Sequence, residues 1–209
     1  MSRLKIAVTK GRLLEDSLDL FDKMGLDTTA VRADTRKLIL PITNYPMDVV
    51  LSKAADVLTY VSHGVCDLGI VGKDTIMEHG GSFYEMLDLS YGNCRFALAV
   101  PEGSDFYGTY RSRVVASKYP NVTKAYFAGK GMDVSVIKIE GSVELAPLVG
   151  LANGIVDIVQ TGTTLKENGL TPIETVAQVS ARLIVNTASM KLHQKEIFDF
   201  IEKIEVANQ

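Results

Sequence analysis

The chain has 209 residues, 46% of them hydrophobic and 22% charged, with a formal net charge of −3. A chain of that length buries roughly 70% of its unfolded surface, and its composition excludes long disordered segments, which need lower hydrophobicity and higher net charge. The slightly acidic balance excludes an electrostatic grip on duplex nucleic acid, and two cysteines, Cys66 and Cys94, outside any CxxC pair, exclude a disulfide framework or a structural zinc site.

The N-terminal MSRLKIAVTKGRL interleaves charges with a short apolar run and lacks the apolar core of a signal peptide. No stretch approaches 18 uninterrupted apolar residues. A cytoplasmic protein that neither enters nor crosses a membrane is expected. Leu4–Thr9 reads as a strand, Lys10-Gly11-Arg12 as a turn, and Leu13–Met24 as a helix with Leu13, Leu14, Ser17, Leu18, Phe21 and Met24 on one face, stopped by Gly25. Leu38–Ile42 and Asp48–Leu51 read as strands, Ala54–Ser62 as a helix, Cys66–Val71 as a buried strand and Arg95–Val100 as an apolar run. Arg113–Ser117, Pro120–Lys130 and Ser135–Ile139 follow as strand, helix and strand, and Val143–Leu151 as a helix whose first turn tolerates Pro147. Strands alternating with amphipathic helices give an α/β fold with mixed sheets flanked by helices.

Ile155–Leu165, IVDIVQTGTTL, places an aspartate inside an apolar strand and then three threonines around Gly162. A strand, a glycine turn and a helix start can seat a phosphate on turn N–H groups, with Thr161, Thr163 and Thr164 adding hydroxyl donors. A threonine-capped helix following a strand has the same pattern. Asp157 tips the balance, because a carboxylate in an apolar strand is costly unless it meets a polar cavity or a partner. Beside a phosphate it would hold ribose hydroxyls or offset positive charge on a sugar ring.

Gly64–Asp74 aligns without gaps on Gly154–Thr164, ninety residues later; each segment reads as glycine, apolar strand with an aspartate, then a glycine turn. Any two α/β units share such features, and two related lobes across a cleft would also produce them. On the second reading residues 1–92 with 179–209 form one lobe and 93–178 the other, the chain returning through Leu183–Asn186 to a last helix, Ser189–Ile204.

The acid followed by T-G-x-T is similar to the sugar-phosphate motif of the common phosphoribosyltransferases, which carry two adjacent acids where this chain has Asp157 and Ile158. Read outward, Glu144–Leu165 (ELAPLVGLANGIVDIVQTGTTL) closely resembles the signature of the ATP phosphoribosyltransferase family. Lys10-Gly11-Arg12-Leu13, Thr35-Arg36-Lys37-Leu38, Asp67–Asp74, Cys94–Val100 and Ser180–Asn186 extend the resemblance over nearly the whole chain.

The resemblance implies joining N1 of the ATP adenine to C1 of phosphoribosyl pyrophosphate, with Mg2+ bound through the substrate phosphates and no metal site built by the protein. It also implies two lobes like those of type II periplasmic binding proteins, with ATP on the first and the donor on the second. Because the chain ends soon after Asn186, it resembles the family's short form, which works with a regulatory subunit resembling histidyl-tRNA synthetase in a hetero-octamer whose catalytic subunits pair. Carried over by position, Thr161, Gly162, Thr163 and Thr164 hold the donor 5-phosphate, with Asp157 and Glu144 near the ribose. Lys10, Arg12, Arg36 and Lys53 are the cations facing pyrophosphate and ATP phosphates, and Asp74 lies on the nucleotide side. Lys53 stands where family members often carry arginine, and Leu58 where they carry proline; lysine keeps the charge and loses the bidentate fork. His63, His79 and His193 show no triad or metal-ligand pattern and read as surface or structural residues.

Overall fold

The computed structural model describes residues 3–33, 35–108 and 112–208. Its contacts divide the chain into two compact units, Met1–Gly92 with Ser180–Gln209, and Asn93–Val179.

In the first unit β1 (Leu4–Thr9) leads into α1 (Arg12–Lys23) and α2 (Thr29–Arg32). The hairpin β2 (Ile39–Ile42) and β3 (Met47–Ser52) follows, then α3 (Ala54–Ser62), β4 (Leu68–Gly72), α4 (Lys73–His79) and β5 (Phe83–Asp88). The second unit holds β6 (Cys94–Pro101), β7 (Arg113–Ser117), α5 (Pro120–Gly129), β8 (Val134–Lys138), α6 (Leu145–Leu148), β9 (Gly154–Val159), α7 (Thr163–Glu167) and β10 (Leu170–Val179). The chain then re-enters the first unit as β11 (Ala181–Asn186), α8 (Ser189–Leu192) and α9 (Gln194–Ala207).

The first sheet has the order β2-β3-β1-β4-β11-β5 and the second β10-β6-β9-β7-β8. Five strands correspond in sheet order and sense: β3-β1-β4 and β8-β7-β9 are parallel, and the next strand of each sheet, β11 or β6, is antiparallel to both of its neighbours. β4 and β9, which carry the two similar segments, hold equivalent central places. The equivalence is one of topology more than of residue position. Gly72 and Gly162 each precede a helix, yet β4 starts one residue after Asp67 whereas Asp157 lies inside β9. Asp67 is structural: it accepts the Lys5 N–H at 2.8 Å and the Ser189 hydroxyl at 2.7 Å.

The expected face of α1 turns inward, with Ser17, Leu18, Leu20 and Phe21 buried and Leu13, Leu14 and Met24 packed at its margin. Phe21 meets Phe200 of α9 edge to face at 5.9 Å between ring centroids. β4 is buried along its whole length, and Gly69 lets α3 come close: a Cβ there would lie 2.8 Å from both Val57 and Val61. None of the described helices is long and apolar enough to cross a membrane.

Two helices are shorter than their periodicity predicts. The expected Val143–Leu151 helix is limited to Leu145–Leu148, because Gly150 (φ 74°) turns the chain left-handed just beyond Pro147. The last helix breaks at His193 (φ −127°), which separates α8 from α9. β5, β10, α2 and α4 have no counterpart among the sequence-predicted elements. The two strands lie at sheet edges, and β10 carries Pro172 and two register shifts that break its alternation.

Candidate functional site

β9 lies between β6 and β7 and buries both faces. Ile155 and Val159 pack with Ala97, Ala116, Val143, Ala146 and Leu165, on the side of α6 and α7. Val156 and Ile158 pack on the other side with Phe96, Leu98 and Phe127. The period of two puts Asp157 on the α6 and α7 face, between Ile155 and Val159. There it borders a cavity of about 340 Å³ whose walls include Glu144, Asp157, Gln160, Thr161, Gly162 and Thr164. The acid in the apolar strand therefore has a polar cavity to face.

Burial pushes the Asp157 carboxyl up to about 6, and the negative charge of Glu144 acts in the same direction. A hydrogen bond from the Ile158 backbone and the positive charge of Lys118 oppose the rise. A second carboxylate on the same cavity wall adds to the cost that burial already places on charging Asp157.

The threonine turn adopts a conformation only glycine holds without strain: Gly162 has φ 81° and ψ 3° and is the N-cap of α7. Thr161 and Thr163 hydroxyls lie 3.1 Å apart, and the Thr163 N–H reaches the Thr161 hydroxyl at 3.4 Å. The α7 ladder begins with Lys166 N–H to the Gly162 carbonyl at 3.1 Å, so the N–H groups of Thr163, Thr164 and Leu165 precede it. With five residues, α7 contributes little macrodipole, and any anion held here is held by local N–H and hydroxyl donors.

In the first unit the carboxyl ends of the parallel strands β1, β3 and β4 come together, the end at which α/β sheets place ligands. Thr9 pairs with Ser52, and the Lys10 N–H bonds to the Ser52 carbonyl at 3.0 Å. Lys10, Arg12 at the head of α1, Lys53 at the N-cap of α3 and Asp74 in the first turn of α4 therefore emerge at one end of this sheet. Arg36 lies two residues before Leu38, whose carbonyl accepts the Leu51 N–H at 2.8 Å near the same end of β3. Asp74 folds back over Gly72: a Cβ there would meet the Asp74 Oδ1 at 2.0 Å.

Charge pairing separates two kinds of cation in this unit. Arg3, Arg32 and Arg182 are tied to Asp48, to Glu15, Asp19 and Asp22, and to Asp88. Lys10, Arg36 and Lys53 are exposed and form no ion pair among the described residues. His63 terminates α3, its Nδ1 2.9 Å from the Thr59 carbonyl, and no histidine lines the Asp157 cavity.

The family model of ATP phosphoribosyltransferase (HisG) matches residues 53–206. The chain belongs to the ATP phosphoribosyltransferase family. It is 52% identical over 204 residues to an ATP phosphoribosyltransferase of Clostridium kluyveri, covering 98% of this chain and 93% of the relative. It is also 52% identical over 207 residues to one of Listeria innocua, covering 99% and 97%. Among solved structures, an ATP phosphoribosyl transferase (HisG:HisZ) complex from Thermotoga maritima matches with TM-score 0.83 and 32% identity over 98% of both chains. The periplasmic aliphatic sulphonate-binding protein SsuA of Escherichia coli matches with TM-score 0.61 and 13% identity over 100% of this chain and 73% of its own, which is a likeness of fold alone.

In this chain the Glu144–Leu165 signature and the β9 cavity coincide, since every wall residue falls within it. Two further cations, Arg95 at the start of β6 and Lys118 just beyond β7, lie at the same end of the second sheet. No motif marks Lys118; strand register is what finds it.

Proposed function

We propose that the protein transfers the 5-phosphoribosyl group of phosphoribosyl pyrophosphate to N1 of ATP, giving N1-(5-phosphoribosyl)-ATP and pyrophosphate, the first step of histidine biosynthesis. The observation that carries the reading is one cavity, in a chain of this family, that joins the left-handed Gly162 turn, with Thr161 and Thr164, to the carboxylates of Asp157 and Glu144. The turn suits a terminal phosphate and the acids suit a ribose. Each hydrogen bond to a phosphate dianion is worth about 1.5–3 kcal/mol, so several of them fix the donor's position.

Adenine N1 carries an available lone pair, so attack on C1 needs no strong general base. The chain's work is positioning and charge stabilisation. Thr161, Gly162, Thr163 and Thr164 hold the 5-phosphate, and Glu144 and Asp157 face the ribose. Ionised Asp157 offsets the positive charge that develops at C1 as the bond to pyrophosphate breaks. Lys10, Arg12, Arg36 and Lys53 meet pyrophosphate and ATP phosphates, with Asp74 on the nucleotide side.

Magnesium takes hard oxygen ligands and commonly binds one or two carboxylates together with substrate phosphates. Among the described residues no three His, Cys, Asp or Glu side chains gather as a metal cluster, whereas Glu144 and Asp157 share the cavity wall. That set fits an ion carried on the donor's phosphates beside the two acids; when bound, it would neutralise charge on the leaving pyrophosphate.

The Thermotoga relative occurs in a HisG:HisZ complex. This supports a regulatory partner for the present chain, a subunit resembling histidyl-tRNA synthetase, in a cytoplasmic hetero-octamer whose catalytic subunits pair. The test is to incubate the chain with ATP, phosphoribosyl pyrophosphate and Mg2+, with and without that partner, and to follow product mass and pyrophosphate release. A phosphoribosyl-ATP mass under either condition is expected; pyrophosphate release without it, or no turnover in both, would refute the proposal.

A further inference from the structure

Strand register places two more charged groups beside the donor cavity. On one flank of β9, β7 runs parallel with Val115 beside Gly154 and Ala116 beside Ile155. The Ser117 hydroxyl, buried, donates to the Val156 carbonyl at 2.6 Å and holds this register to the end of β7. Two residues beyond Ile155, Asp157 lies on the face that Ala116 and Ile155 share, and Lys118 stands one residue past the end of β7, its charge acting on Asp157. On the other flank β6 runs antiparallel, with Ala97 opposite Asp157 and Arg95 opposite Val159. Ala97 and Val159 lie on that same face, so Arg95, two residues before Ala97, does too.

β9 is thus bracketed at its carboxyl end by one cation on each side, Arg95 on the cavity's face and Lys118 just past the end of β7. Neither the Arg95 nor the Lys118 side chain forms a hydrogen bond or an ion pair among the described residues, although the charge of Lys118 also acts on Glu140. The contrast with β8 is direct, where Lys138 pairs with Glu140 at 2.7 Å. Arg95 is half-buried, and its guanidinium has no carboxylate partner among the described residues, which leaves its fork of donors open to a ligand's phosphate. The charge of Lys118 is felt by Asp157, which places the ammonium within electrostatic reach of the proposed ribose position.

We propose that Arg95 and Lys118 are further donor-binding residues, a pair of cations flanking the threonine turn that engage the phosphate groups of phosphoribosyl pyrophosphate. The inference rests on the proposed function and names the positive charge that the neutral hydroxyls and the two acids of the cavity lack. A donor carrying several negative charges would otherwise meet only Glu144 and Asp157 as charged groups on the cavity wall. The planar fork of Arg95 suits two phosphate oxygens at once, whereas Lys118 acts as a point charge that arginine can replace.

The test measures binding of phosphoribosyl pyrophosphate with Mg2+ to the full chain by calorimetry, and the KM of each substrate in the assembled enzyme, for Arg95→Met, Lys118→Met and Lys118→Arg. Lys124→Met serves as control, on α5 over the opposite face of the sheet. Each Met variant is expected to weaken donor binding about tenfold or more, the loss of one charge-assisted bond. The KM for ATP should stay within about twofold, Lys118→Arg should keep most of the affinity, and Lys124→Met should match the wild type. Unchanged donor affinity in both Met variants, or equal weakening for ATP and donor, would overturn the inference while leaving the function standing. Failure of the wild type to bind the donor would overturn the function itself and this inference with it.

Discussion

Asp157→Asn separates what the carboxylate costs the fold from what it gives the reaction. Its pKa rises from 3.8 to about 6 on folding, a shift of about two units and therefore about 3 kcal/mol between its protonation states. The folded state binds this proton more tightly than the unfolded chain, so the contribution of Asp157 to stability is fully present below about 4 and is lost as pH rises through about 6. An asparagine accepts the same hydrogen bond from the Ile158 N–H without the charge. The variant should therefore match the wild type in urea unfolding at pH 4 and exceed it by about 1–3 kcal/mol at pH 7.5, while phosphoribosyl transfer falls by orders of magnitude. Equal stabilities at pH 7.5, or a gain at pH 4 that vanishes at pH 7.5, would refute the placement of Asp157 as a desolvated acid on the cavity wall.

Further outcomes follow from the same geometry. Removing the Thr161 hydroxyl in Thr161→Val should cost roughly 1–3 kcal/mol of donor binding and leave ATP affinity largely intact by calorimetry; equal weakening of both would mean that the turn is not the donor's phosphate cradle. The pH profile of kcat/KM for the donor should show an acid limb near 6, falling as Asp157 takes up its proton, and that limb should be absent from the residual activity of Asp157→Asn. Gly72→Ala would set a Cβ 2.0 Å from the Asp74 Oδ1 and displace that side chain, so the KM for ATP should rise while donor binding is unchanged. Phe200→Ala, at a fully buried ring against Phe21, should destabilise the first unit by about 3–5 kcal/mol, read by urea unfolding.

Central elements were legible because their residues repeat one local rule. β1, β4 and β9 are apolar runs closed by a glycine or a polar turn, and α1 shows its inward face at the helical period. The edges were not. β5 sets Glu85 and Asp88 among paired hydrophobic residues without a period of two and is half-exposed, β10 is broken by Pro172 and two register shifts, and α4 has seven residues; such elements are fixed by neighbours distant in sequence. The ninety-residue similarity points to equivalent strands, yet it equates Asp67 with Asp157, one fastening Lys5 and Ser189 and the other facing a cavity. Burial and partners, which periodicity does not carry, tell these two acids apart. The threonine turn was legible because Gly162 and its threonines are contiguous. Arg95 and Lys118 come together only through the register of three strands.

The central claim is the bond made, and ATP labelled with 15N at adenine N1 tests it directly. After incubation with phosphoribosyl pyrophosphate, Mg2+ and the regulatory subunit, the purified product should show nuclear magnetic resonance coupling between the labelled nitrogen and the anomeric centre of the new ribose. A product coupled through another nitrogen, or one in which the ATP ring is unmodified while pyrophosphate is released, would contradict the account.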